Sequence, residues 1–487
     1  MGNRRSRAVG SLPDYDIYGK IIHTGLFRLL AVASLWLVSI AEAATVTQFV
    51  VTSAGSSRNT VGTLNWAVFQ ANYYGADINY ITFQIPNTTG QAKIVLSEPL
   101  YVARLMVIDG KSQPGYTGQP KIQIDANGLA SAFLLVGNVP NIPPMSTGAI
   151  NTSSGSTIQG FQIVNYSSNA VTIFKESQGS WIQDNWMGFK ANAGGQTYWR
   201  NSDTYPNSRG IGLQSSFNTI RGNTISGVSN GITIGDDISS PSGNVYKTNS
   251  IQRNFIGTDP TGSFKIGNDS DGVFLGAGAR ENFIGPANVL SGMDSSGVEL
   301  LHSSNYGNVI FASMIGMNAA GTAAIPNGEL GVLIANGATF NEVGGPFGGS
   351  VISGNRLGGV CIGTPEFPGT DGTNGNYVEY NLIGTDSGGT TIMGGQVTGV
   401  TVQTKSRANV VRGNVLVGED NHGVTLSDAT GNGIYNNWMG QAVNGTQLTT
   451  RGFGVYLLNS SYNFIQNNTF GSNQLGPIGN SVGNAIN

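Results

Sequence analysis

The sequence is poor in charge: Asp, Glu, Lys and Arg make up only 10% of its 487 residues. A soluble domain usually carries about a quarter. The 24 basic and 27 acidic residues leave a net charge of −3. No basic field exists to hold a polyphosphate backbone, so nucleic acid is not expected as a partner. A single cysteine, Cys361, excludes an intramolecular disulfide and any Cys-based metal centre. The three histidines, His23, His302 and His422, are too scattered for a His-rich metal site. Long apolar runs are missing too. The stretch Leu29–Ile40 falls short of the roughly 20 residues that cross a bilayer. What the chain has instead is 72 glycines with 39% hydrophobic and 9% aromatic residues. That apolar content can bury a large core, which rules out disorder as the main state.

The N-terminal segment has Arg4, Arg5, Arg7 and Lys20, then the short apolar run, then Ala41-Glu42-Ala43. A basic start, an apolar centre and an A-x-A end describe a secretory signal cleaved after Ala43, or a retained anchor. Residues 1–43 are therefore read as a leader. The mature chain is expected outside the cell or at its surface, with no stable membrane insertion after cleavage.

Beyond the leader the chain repeats. Gly (once Ala) followed by an apolar residue, a variable one and another apolar one falls at 170, 210, 231, 272, 297, 331, 359, 399, 423 and 454. Long and short steps between these positions alternate without exception. A second pattern, Asn-x-apolar-x-x-Asn-x-apolar, recurs at Asn218/Asn223, Asn249/Asn254, Asn376/Asn381, Asn409/Asn414, Asn432/Asn437 and Asn463/Asn468. Each short segment alternates apolar and polar residues, which reads as strand. Three short strands per coil with Gly and Asn bends is an all-β parallel solenoid, its asparagines stacked in internal ladders. Stacking of like residues also explains the lack of charge. Before the repeats, Thr63–Tyr74 has helical spacing, with Thr63 as N-cap and Gly75 as stop. This helix is expected to cap the open first coil. The organisation is then 1–43 leader, 44–150 cap and first coils, and 151–487 regular coils.

The runs GTLNWAVFQAN, VIDGKSQPGYTGQPKIQIDANG and NFIGTDPTG resemble a widespread group of secreted bacterial right-handed parallel β-helix repeat proteins. The resemblance implies the fold of the pectate-lyase-like superfamily over the mature chain. It implies no single activity, since that fold hosts lyases, hydrolases, epimerases, tail fibres and adhesins.

Insertions on the long coils begin at Met187, Ile256, Ile315, Ile383 and Met439. At one shared corner they would form a comb of loops roughly 9.6 Å apart. A groove beside it would suit an extended polymer. Asp259 and Asp386 hold matching places in two of these loops, where Asn318 stands in a third; that is the pattern of turn residues rather than of catalysts. Asp236, Asp237 and His302, just beyond the Gly-apolar strands, and Glu299, which points outward from its strand, are the candidate catalytic patch. Paired carboxylates would suit glycoside hydrolysis, and His302 with Arg280 would suit a lyase. Tyr198, Trp199 and Tyr205, with Arg280, are the candidate substrate contacts. No cofactor is expected, with calcium kept as the alternative. The segment Asn268–Gly272 resembles the start of a calcium loop but lacks the later acidic ligands. Two functional readings stand: a secreted solenoid that binds an extracellular polysaccharide, with or without processing it as a lyase or hydrolase, and a non-catalytic surface or adhesive solenoid. The partner in either case is an extracellular polysaccharide or cell-surface glycan. Alternation places Cys361 on the outer surface, open to labelling unless the adjoining loop covers it. The tail 472–487 lacks helical periodicity, which leaves either an open last coil with weak self-association or a loose irregular cover.

Overall fold

The computed structural model describes residues 44–86, 90–137, 152–191, 198–364, 372–417, 420–479 and 483–486. The leader reading of residues 1–43 lies outside these. Among the described residues three parallel sheets run from Val46 to Ile486, with 15, 13 and 13 strands. We call them A, B and C in the order the chain visits them within a coil. Strand order within each sheet follows chain order throughout, so every coil stacks on the one before it. This is the right-handed parallel β-helix that the repeats predict.

The register matches the sequence repeat residue for residue. Val171 pairs with Ile211, Ile211 with Ile232, Ile232 with Val273, Val273 with Val298, and so on to Val424 with Val455. These side chains, with Ile182, Ile220 and Ile251 of sheet A and Ile225, Ile256 and Leu290 of sheet B, fill one continuous lumen. Each is fully withdrawn from water, and burying such a side chain is worth about 1.5–3 kcal/mol.

The helix is Leu64–Tyr74, and Thr63 caps it by accepting from the Trp66 amide at 3.2 Å. Leu64, Ala67, Val68 and Ala71 join the lumen core and close its first coils. Gly75 ends the helix for a different reason than left-handed geometry. Its φ is −72°, but a Cβ there would lie 2.3 Å from the Ala71 carbonyl oxygen and 2.2 Å from Asn79 Oδ1.

The asparagines form ladders. One runs Asn218, Asn249, Asn282, Asn308, Asn341, Asn376, Asn409, Asn432, Asn463, Asn484 at the corner between sheets C and A. In each rung an Oδ1 accepts both the backbone N–H and the Nδ2–H of the asparagine one coil earlier, as Asn249 does from Asn218 at 3.0 and 3.0 Å. A second ladder at the A–B corner links Asn185, Asn223, Asn254 and Asn288, and resumes over Asn381, Asn414, Asn437 and Asn468. Ser313 and Ser350 fill the gap. The residue before each rung is left-handed, whether Gly or not: Phe217, Thr248, Glu281, Phe340, Ala408 and Tyr462 have φ between 51° and 64°.

Two expectations about the ends and the surface change. The tail is no irregular cover: Gly476–Gly479 pairs with Phe453–Leu458, and Ala485–Ile486 with Phe464–Gln466, so it continues the ladder. Cys361 does face away from the lumen, since Val360 and Ile362 face in, yet it is buried at 5% exposure. Leu301, Leu333 and Ala335 form a small second core with it on the outer face of sheet C.

Candidate functional site

The insertions leave the solenoid at one place. Sheet B pairs Met187, Ile225, Ile256, Leu290, Ile315, Ile352, Ile383, Leu416 and Met439 in one column. All five insertions follow it at the B–C corner, on every second coil. Each is a hairpin, closed by the antiparallel pair Phe189–Ala191/Tyr198–Arg200 or by single bridges Thr258–Lys265, Met317–Ala324, Thr385–Ile392 and Gln441–Gln447. Successive hairpins touch, as the Ala319 amide donates to the Gly262 carbonyl at 2.9 Å and the Ser387 amide to the Gly321 carbonyl at 2.9 Å.

The matching polar residue in these loops is a turn residue. Asp259 Oδ1 accepts from the Ser263 and Phe264 amides, and Asp386 Oδ1 from the Thr390 and Thr391 amides. Asn318 makes the same pair of bonds to Thr322 and Ala323.

At the foot of the comb lies a groove of about 570 Å³. Lys265, Asp294, Asn327, Arg356 and Gly395 line it from five successive coils, a run of roughly 19 Å at strand spacing. Lys265 and Asp294 are paired at 3.1 Å. Arg356 is exposed and forms no ion pair among the described residues. No motif marked Arg356 in advance; it emerges only when Gly354–Leu357 is stacked beside the hairpins.

The other edge of sheet C holds the residues singled out from sequence. Asp236, Arg280 and His302 line one cavity of about 230 Å³ together with Ser304. Two of the four candidate catalytic residues do not line it. Asp237 is exposed and bonds the Ser239 amide and hydroxyl at 2.8 and 2.6 Å, in its own turn. Glu299 stands on the outer face of sheet C, in register between Phe274 and Leu333. Asp236 itself is engaged: Oδ2 accepts from the Ser242 amide at 2.8 Å and from its hydroxyl, and Oδ1 from the Tyr246 hydroxyl at 2.6 Å. Burial raises its pKa, but these bonds outweigh burial and hold the carboxyl below its ordinary value. Ser242 and Tyr246 were not foreseen. Ser242 comes from a further insertion, 236–245, on a coil that also carries a hairpin, and Tyr246 opens the short strand Tyr246–Lys247 that follows it.

Tyr198 and Trp199 belong to the first hairpin. Tyr198 packs edge-on against Phe189 at 5.8 Å, and the Lys190 ammonium lies 4.6 Å above the Trp199 ring. Tyr205 is half-buried with its hydroxyl next to Gly128. In the Asn268–Gly272 segment Asp269 pairs with Arg200, while Asp271 accepts from the Ser296 amide. Among the described residues no three His, Cys, Asp or Glu side chains gather where they could hold a metal ion. Nor is any helix among them long and apolar enough to cross a membrane.

The family model "periplasmic copper-binding protein (NosD)" matches residues 370–487. Donors for copper are scarce there. The segment has no cysteine, and its one histidine, His422, accepts the Phe453 amide at Nδ1 and stacks on Tyr456. No curated protein matches the sequence. Among solved structures, the chain is similar to tailspike protein 3 of bacteriophage CBA120, at 12% identity and TM-score 0.52, over 95% of this chain and 67% of that one. It is also similar to the mannuronan C-5 epimerase A-module of Azotobacter vinelandii, at 11% identity and TM-score 0.46, over 91% and 98%. At such identities the likeness is one of fold. Repeat, register and fold together make the chain a right-handed parallel β-helix repeat protein.

Proposed function

We propose that the protein binds an extracellular polysaccharide along the groove beside its hairpins. One observation carries this reading: residues from five successive coils line a single open groove at the foot of the comb. An open trough of that length fits several units of an extended chain, whereas a small ligand would be enclosed on most of its surface. Arg356 and the Lys265–Asp294 pair supply the polar contacts that sugar hydroxyls need. A location outside the cytoplasm accords with the leader read in residues 1–43.

Binding without cleavage is favoured by the state of the candidate acids. Hydrolysis needs two carboxyl groups facing one bond, one of them protonated. Here Asp236 is kept ionised by three donors, while Asp237 and Glu299 lie outside its cavity. The full protein should be retarded in gels containing at least one polysaccharide from a panel of acidic and neutral polymers. The double variant Lys265→Glu/Arg356→Glu should lose that retardation. New reducing ends or unsaturated-uronate absorbance would turn the reading to a hydrolase or lyase. Retardation by no polymer would overturn it.

A further inference from the structure

We infer that the cavity at the far edge of sheet C receives a carboxylate, so that the polymer recognised is an acidic one; this rests on the polysaccharide reading above. The cavity holds about 230 Å³, less than the roughly 300–1,000 Å³ of sites for drug-sized ligands. It admits one small group. Pro241 and Ala277 make an apolar wall, and the donors are few and fixed.

Ser304 fixes both donors. Its carbonyl accepts from Arg280 Nε at 3.1 Å, and its amide donates to His302 Nδ1 at 3.1 Å. Its hydroxyl lies 2.7 Å from the same Nδ1 and accepts from the Gly278 amide at 2.8 Å. With Nδ1 occupied as an acceptor, the neutral imidazole carries its proton on Nε2, which becomes a donor. His302 is held at φ 108°. A non-glycine residue keeps such a backbone only where its surroundings impose it, a condition met often at ligand sites.

Arg280 is half-buried and has no ion-pair partner among the described residues. The one carboxylate in the cavity wall, Asp236, is committed to Ser242 and Tyr246, which close the 236–245 loop over the site. A guanidinium with Nε tied back presents its two Nη groups in a plane. That fork matches a carboxylate with two parallel hydrogen bonds. Leaving it unmatched in a partly desolvated wall costs free energy that an incoming carboxylate offsets. A neutral sugar offers only hydroxyls to the same fork.

Calorimetric titration of the full protein with glucuronate and with glucose tests this. Glucuronate should bind, and glucose at least tenfold more weakly. Arg280→Gln should weaken glucuronate at least tenfold and leave glucose unchanged, with His302→Gln losing less. If Arg280→Gln lowers the Tm, Arg280→Lys takes its place, since it keeps the charge and loses the fork. Equal affinities for the two sugars, no glucuronate binding, or an indifferent Arg280 variant would each overturn the carboxylate assignment. Polymer retardation, measured in parallel, separates the two readings. Glucuronate bound through Arg280 with no polymer retained sinks the groove alone, and the converse sinks the cavity alone.

Discussion

A single asparagine in the C–A ladder serves more groups than its one amide suggests. Asn308 Oδ1 accepts the Asn282 backbone and side-chain N–H, while Nδ2 donates to the Ala279 carbonyl and to Asn341. All of these atoms are buried, and each one left unpaired costs about 1–3 kcal/mol. Asn308→Ala should therefore destabilise the fold by roughly 3 kcal/mol in chemical denaturation. A loss no larger than that of an exposed Asn→Ala change would count against the ladder as a source of stability. Glu342, on the outer face of sheet A, belongs to the titrating residues. Burial and the neighbouring Glu379 charge push it up to about 7, with Arg412 pulling the other way. Arg412 is committed to Glu379 at 2.9 and 3.0 Å. The folded protein therefore keeps a proton on Glu342 that the unfolded chain releases near the ordinary glutamate value. Stability from this group is complete below that value and is lost as pH rises through about 7. The loss is on the order of 2 kcal/mol. Glu342→Gln should flatten that decline between pH 5 and 8. An unchanged slope would place the proton elsewhere.

At the scale of elements, strands were legible and surfaces were not. Period-two alternation and the five-residue asparagine offset set strand, corner and register, because each coil repeats the same local demands on its lumen. Outward residues answer to neighbours about one coil away in sequence, and no local period records those. Arg280, His302 and Ser304 come together through stacking, and the Ser242–Tyr246 clamp on Asp236 required an insertion at a second corner of the same coil. The 41-residue step from 231 to 272 holds both that loop and a hairpin, whereas one insertion per long coil had been expected. Cys361 shows the same limit. Alternation gave its face correctly, but Leu301, Leu333 and Ala335 bury it there and push its thiol up to about 12. A maleimide should leave it unlabelled in the native protein at pH 7 and react fully in denaturant. Rapid native labelling would mean that the outer cluster opens.

Over the whole molecule, each coil contacts chiefly the coils before and after it, so stability accumulates along one axis. The last described strands, Gly476–Gly479 and Ala485–Ile486, continue that axis. The alternation of hairpin-bearing and bare coils sets the molecule's unit of growth. A two-stranded ribbon takes up about 9.6 Å, two strand spacings, which is twice the rise of one coil. Hairpins on adjacent coils would compete for the same space. A hairpin-bearing coil therefore needs a bare coil on each side, whereas bare coils can follow one another, as the first ones do. Excising Ile232–Gly297 joins Gly231 to Val298 in register and keeps one bare coil between the hairpins on either side of the cut. Excising the single bare coil Val273–Gly297 keeps the register too, but sets the 258–265 and 317–324 hairpins side by side. The first deletion should give a shorter, cooperatively folding protein by circular dichroism, and the second a product that aggregates or melts well below it. In gene duplication, a hairpin-bearing turn is then inherited together with a bare one, because a copied hairpin turn set directly against its parent would be purged by sterics before any ligand was consulted.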